Sequence, residues 1–274
     1  MKKSTLLLVL SVALAIVACR DQSVVDSQVT PPQESVTFCD SVSEIPRSEC
    51  EALLAFYDST LGSGWRIHRD WLETPTPCNW YGLQCEAGHV TAITINDNNL
   101  RGYLPPELGD LSHLKILSLY FNFIEGPLPA ELGRPTTLET VMLQSNRFSG
   151  QLPPTLGQLS KLRILDLQSN KLTGPIPPEL GQLDSLETLH LTSNNLSGPI
   201  PVELSQLSNL RGLFLAGNNL SGPIPPELAQ LTNLWMVSVK GNQLSGTLPE
   251  NLRDLPGSGY DFINRTVAAQ TKSP

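Results

Sequence analysis

One asparagine every 24 residues constrains this chain more than any other feature of its sequence. Asn98, Asn122, Asn146, Asn170, Asn194, Asn218 and Asn242 fall on that period without a slip. Four residues after each stands a glycine, from Gly102 to Gly246, and three further on a proline, from Pro105 to Pro249. Ahead of the asparagine the chain reads L-x-L, as in Leu165-Asp166-Leu167 and Leu189-His190-Leu191. A fixed period of this length is the mark of a stacked repeat and has to be read before any local secondary structure. One unit cannot stand alone. In the fourth, Leu162, Leu165, Leu167, Leu172, Ile176, Leu180 and Leu183 point toward one core, and each contributes ~1.5–3 kcal/mol when buried. Ordering the backbone costs ~1–2 kcal/mol for every residue of the unit, so units must stack on neighbours.

The stack predicts an α/β repeat solenoid. The L-x-L segments become parallel strands about 4.8 Å apart on a concave face. The Pro-Pro-Glu-Leu runs start short helical turns on the convex face, since proline suits the first helical position and glutamate the positive helix start. Glu107, Glu131, Glu179, Glu203 and Glu227 then form an acidic column for that reason and not as a cation ladder. Each asparagine amide is expected to satisfy turn backbone, making a ladder up the stack. Leu172-Thr173-Gly174-Pro175-Ile176-Pro177-Pro178-Glu179-Leu180-Gly181 resembles the plant-type leucine-rich repeat motif L-x-G-x-I-P-x-x-L-G. The resemblance runs from residue 39 to about 255 and includes polygalacturonase-inhibiting proteins and receptor ectodomains.

Upstream of the repeats, Cys78-Asn79-Trp80-Tyr81-Gly82-Leu83-Gln84-Cys85 resembles the C-x-W-x-G-x-x-C of that family's N-terminal cap. Ala52 to Tyr57 resembles the cap's opening helix, and Trp71 its tryptophan. The resemblance implies disulfides Cys78–Cys85 and Cys39–Cys50, with Trp65, Trp71 and Trp80 as cap packing. A zinc site is the competing reading of four cysteines, but their spacing is not that of two C-x-x-C knuckles. The expected domains are a signal at 1–19, a flexible tether at 20–37, the cap at 38–89, seven repeats at 90–250, and a C-terminal cap and tail at 251–274.

The signal has Lys2 and Lys3 before an apolar run, Leu6 to Val17, that is short for a membrane span. Its end, Ile16-Val17-Ala18-Cys19, resembles a bacterial lipobox and implies acylation of Cys19. The expectation is a protein lipid-anchored to the bacterial envelope, at the outer membrane or cell surface, touching the membrane through that lipid alone. Plain secretion is the alternative. The formal charge is −8; removing the leader with its two lysines leaves 16 cations against 26 acids, or −10. Such acidity argues against nucleic acid, whose phosphates require a basic stripe.

No phosphate-cradling loop, metalloprotease helix or nucleophile elbow occurs, and no cofactor, metal or catalytic residue is expected. Asp166 and His190 occupy the same position of adjacent repeats, with Ser169 and Ser193 close by. An open strand face supplies neither an oxyanion hole nor a pocket, so a surface ion pair is the expectation. Positions flanking the L-x-L leucines should face solvent, and there the repeat does not require apolar residues. Candidate ligand contacts are Tyr120, Phe121, Met142, Gln144, Asp166, Gln168, His190, Phe214 and Trp235. Large groups on a rigid face suggest a partner surface. The predicted function is a non-enzymatic, monomeric module that binds a protein through its concave face. The alternative is a carbohydrate-binding or glycosidase-inhibiting protein that stacks glycans on the aromatics. Ice or mineral binding is a third class, which would need ranks of identical threonines that the concave columns lack.

Overall fold

The computed structural model describes residues 38–246 and 249–253. The signal, Cys19, the tether and the tail beyond residue 253 lie outside them.

Two sheets run the length of the repeats. The eight-stranded sheet starts with an antiparallel pair, Leu83–Glu86 and His89–Thr94, and continues in parallel through Ile116–Ser118, Thr140–Met142, Ile164–Asp166, Thr188–His190, Gly212–Phe214 and Met236–Ser238. The register is the sequence period itself: Ile93 pairs with Leu117, and that row continues through Val141, Leu165, Leu189, Leu213 and Val237. These central residues are buried, and their neighbours on either side lie on the opposite face, where Ala92, Ser118 and Gly212 are also covered. The second sheet has seven short strands, from Arg101–Gly102 to Gln243–Ser245, each following a repeat asparagine.

The helical turns are 3-10 turns, such as Pro106–Asp110, Pro178–Gln182 and Pro226–Gln230. A proline precedes each, its φ already near the helical value, and Leu180 and its equivalents drop into the core. With so few residues between that proline and the next core leucine, the tighter helix is the one that fits. Its packing is close. A Cβ added at Gly181 would stand 2.4 Å from the Glu203 carbonyl oxygen of the next repeat, and one at Gly157 2.3 Å from that of Glu179. The equivalent positions of the last two full repeats are Ser205 and Ala229.

The asparagine row works as expected. Asn170 Oδ1 accepts the Phe148 N–H at 3.0 Å, and its Nδ2 donates to the carbonyls of Leu143 and Leu167 at 3.0 and 3.1 Å. Asn146, Asn194, Asn218 and Asn242 repeat the pattern one step along. Every such amide therefore ties its own turn to the preceding one, in a region where the backbone cannot reach water.

The cap closes one end of this core. Its helix, Arg47–Ser59, buries Cys50, Leu53, Leu54 and Phe56. Trp65, Trp71 and Trp80 are buried around Trp71, whose ring lies 5.0 Å from Trp65 and 4.8 Å from Trp80. Each indole N–H finds a carbonyl, those of Thr60, Tyr81 and Thr74 respectively, as buried indoles require. Disulfides join Cys39 to Cys50 and Cys78 to Cys85, the pairing implied by the resemblance. The tryptophans are thus cap core and not a stacking surface for a ligand.

Candidate binding face

Three columns cover the outer side of the eight-stranded sheet. The first runs Ala92, Ile116, Thr140, Ile164, Thr188, Gly212, Met236. The second runs Thr94, Ser118, Met142, Asp166, His190, Phe214, Ser238. The third continues the period through Asn96, Tyr120, Gln144, Gln168, Thr192, Ala216 and Lys240. Seven of the nine predicted contact residues fall in the last two columns: Met142, Asp166, His190 and Phe214, then Tyr120, Gln144 and Gln168.

The middle column is a continuous band. The Asp166 carboxylate accepts the Gln168 N–H at 3.0 Å and approaches His190 Nδ1 to 3.6 Å. The His190 ring lies 4.7 Å from that of Phe214. The phenyl ring folds back along its own strand over Gly212, where a Cβ would meet it at 2.6 Å. Gly212 is therefore part of this face, although only a glycine among threonines and isoleucines marks it in the sequence. Gln144 Oε1 is buried without a hydrogen-bond partner, alone in this among the described side chains.

At the cap end, Asn96 Oδ1 accepts the Tyr120 N–H and the Ser118 hydroxyl. The neighbouring Phe121 is not in a column. It occupies the turn after the strand, 57% exposed, with its ring edge-on to Tyr120 at 5.5 Å. Its φ is +55°, in the left-handed region, where the next repeats place Ser145, Ser169, Ser193, Gly217 and Gly241. For a bulky side chain that conformation is strained.

Trp235 is also off the columns. It stands one residue ahead of its strand and donates its backbone N–H to the Arg211 carbonyl at 2.9 Å. It ends a flanking row, Lys115, Glu139, Arg163, Glu187, Arg211, in which the sign of charge alternates. The hydrogen bond from Arg163 at 2.8 Å, with Arg211 behind, holds the Glu187 carboxyl below its ordinary range. Phe123, just beyond Phe121, lies between the guanidinium groups of Arg101 and Arg147, at 5.2 and 5.0 Å.

The histidines are less dispersed than their sequence positions suggest. His89 and His113, one period apart, stack at 3.6 Å beside the buried Glu49 carboxylate. No metal was expected from the sequence, yet these three could hold one.

Known proteins agree with this architecture. Residues 89–234, more than half of the chain, match the family model described as a leucine-rich repeat region, and residues 46–86 match a leucine rich repeat N-terminal domain. The LRR receptor-like serine/threonine-protein kinase FEI 2 of Arabidopsis thaliana is 45% identical over 69 residues, covering 24% of this chain and 12% of the kinase. Among solved structures, the Arabidopsis receptor kinase HAESA ectodomain, in complex with an N-terminally extended IDA peptide hormone, superposes with a TM-score of 0.64 at 31% identity. That match covers 81% of this chain and 35% of the other. A plant ice-binding protein superposes with a TM-score of 0.69 at 29% identity, covering 77% of this chain and 68% of that one. This chain thus spans a small part of the kinase and about a third of the HAESA ectodomain.

Proposed function

This chain belongs to the leucine-rich repeat proteins, and on that premise we propose that it is a non-enzymatic module that binds a protein or peptide on the outer face of its eight-stranded sheet. Tyr120, Phe121 and Met142 form one anchor and Phe214 with Trp235 a second, with Gln144, Asp166, Gln168 and His190 between them as polar contacts. Phe121 carries the reading. A large aromatic group held exposed in the left-handed region, where later repeats use serine or glycine, strains the backbone and gains in return only an edge-on contact with Tyr120. Strain of this kind is kept where a site uses it. Support also comes from the peptide hormone bound by the HAESA ectodomain.

A rigid face loses little entropy on binding. Truncating aromatic anchors typically costs at least ~2 kcal/mol of affinity. Tyr120→Ala with Phe121→Ala should therefore weaken binding of a captured ligand at least roughly tenfold, with the melting temperature unchanged or slightly raised. Glu179→Ala with Glu203→Ala, on the 3-10 turns, should leave affinity unchanged. The reverse pattern would place the site on the other side. A glycan array provides the carbohydrate arm: selective retention of one sugar series, lost in the aromatic variant, would replace the protein ligand by a glycan. An ice-binding role, raised by the plant similarity, predicts thermal hysteresis; the columns here mix size, charge and polarity and offer no repeating lattice.

A disulfide-stapled leucine-rich repeat N-terminal domain is an architecture of exported proteins. The finer location follows from the sequence: we place the module on the envelope surface through acylation of Cys19. Mass spectrometry of the mature N-terminus should find an acylated cysteine, and Cys19→Ala should shift the protein from the membrane to the soluble fraction. An unmodified thiol, or a mature N-terminus at another residue, would leave secretion as the answer.

A further inference from the structure

We propose that Glu49, His89 and His113 form a binding site for one divalent transition-metal ion of the zinc class, clamping the cap to the first repeat. The three residues come from separate segments: the first turn of the cap helix, the start of strand His89–Thr94, and the turn before strand Ile116–Ser118. One ligand atom from each lies within 4.8 Å of the others. Glu49 Oε1 stands 2.7 Å from His89 Nδ1 and 3.9 Å from His113 Nδ1. Two imidazoles and a carboxylate are a donor set that zinc accepts, leaving a fourth position for water. Ligand distances of ~2.0–2.2 Å would set these atoms roughly 3.3 Å apart, so the site needs His113 to move in and His89 to move back by about half an ångström each.

The surroundings favour an ion over the bare cluster. The Glu49 side chain is 2% exposed, and its other oxygen accepts the Val90 N–H at 2.8 Å. A buried carboxylate is costly unless its charge is matched. Lys115 is no substitute, since its ammonium pairs with Glu86. His89 is 30% and His113 50% exposed, which gives an ion a path from solvent. In the stack the two ring planes are 19° from parallel with centroids 3.6 Å apart, so their in-plane nitrogens cannot converge on one ion. Binding therefore turns the more exposed ring, His113, away from the Ser112 hydroxyl it meets at 3.1 Å and toward Glu49.

The test uses the tag-free full chain, stripped of metal by chelation and titrated with zinc chloride by calorimetry. The native chain should bind one ion that the His89→Ala/His113→Ala double variant does not. Each single variant, and Glu49→Gln, should weaken that ion roughly tenfold or more, while His68→Ala should change nothing. Cobalt(II) on the native chain should give the intense visible bands of a four-coordinate site, a readout independent of how well the variants fold. Equal zinc binding by native chain and double variant, or a cobalt spectrum no different from the aqueous ion, would overturn the proposal and leave the histidines as a structural stack.

Discussion

Asn170→Ala should destabilise the repeats by about 2–6 kcal/mol, a large loss for an uncharged side chain. The carbonyls it serves are shared: Leu143 also takes an amide from Asn146, and Leu167 one from Asn194. Those oxygens keep one partner each. The Phe148 N–H is different, since its acceptor is Asn170 Oδ1 in a buried setting. Orphaning it costs ~1–3 kcal/mol, and each weakened amide contact adds ~0.5–1.5 kcal/mol. Asn170→Asp should be as harmful, because it keeps the acceptor but turns a carboxylate oxygen toward two carbonyls. Denaturant unfolding monitored by far-UV circular dichroism measures both. If Asn170→Asp were as stable as the native chain, the amide donors would contribute nothing and the ladder would be a one-sided set of acceptors.

A second large effect is expected at the other end. Trp71→Ala removes a side chain that is 1% exposed, with its ring stacked on Tyr57 at 5.7 Å and flanked by Phe56, Trp65 and Trp80. Aromatic truncation in a core of this kind costs ~3–5 kcal/mol. The Cys39–Cys50 and Cys78–Cys85 bonds each close a short local loop, so those loops should hold while the packing between them loosens. Near-UV circular dichroism should fall sharply and proteolysis should begin inside the cap, while the distal repeats resist, because each repeat rests mainly on its neighbours. An unchanged near-UV signal would show that Trp71 does not hold the cap, and loss of all repeats together with the cap would show a single cooperative block.

Much of this was legible in the sequence because a repeat fixes register. Once Asn98 and Asn122 are aligned, the partners of Leu117 and Leu165 follow, and so does the depth of every leucine. The cap was legible through local spacing around Cys78 and Trp80. What escaped depends on conformation that the period does not encode. Trp235 was grouped with the outward face, but the alternation that places Met236 and Ser238 outward puts Trp235 at the flank. The size of Phe121 marks it in the sequence, whereas its backbone conformation is the more telling property. The folding of the Phe214 ring over Gly212 needs a rotamer that no pattern specifies. The His89–His113 stack was accessible, since 24 residues separate the pair. The third member, Glu49, sits in the non-repeating cap, where no period predicts a neighbour.

The glycines of the 3-10 turns bear on how such a module can change its grip. In an object built of stacked slices, the thickness on one side relative to the other decides how far it bends. Strand hydrogen bonding fixes one side at about 4.8 Å for each slice. The other side is free to differ, and Gly133, Gly157 and Gly181 hold it thin by letting backbone touch backbone. Ser205 and Ala229 place a Cβ where those glycines have none. Bending is thus written in a row of residues remote from the ligand columns. Substitutions among Tyr120, Met142, His190 and Phe214 can alter what is recognised without reshaping the frame. Substitutions in the glycine row can alter the span between the two aromatic anchors without touching either of them.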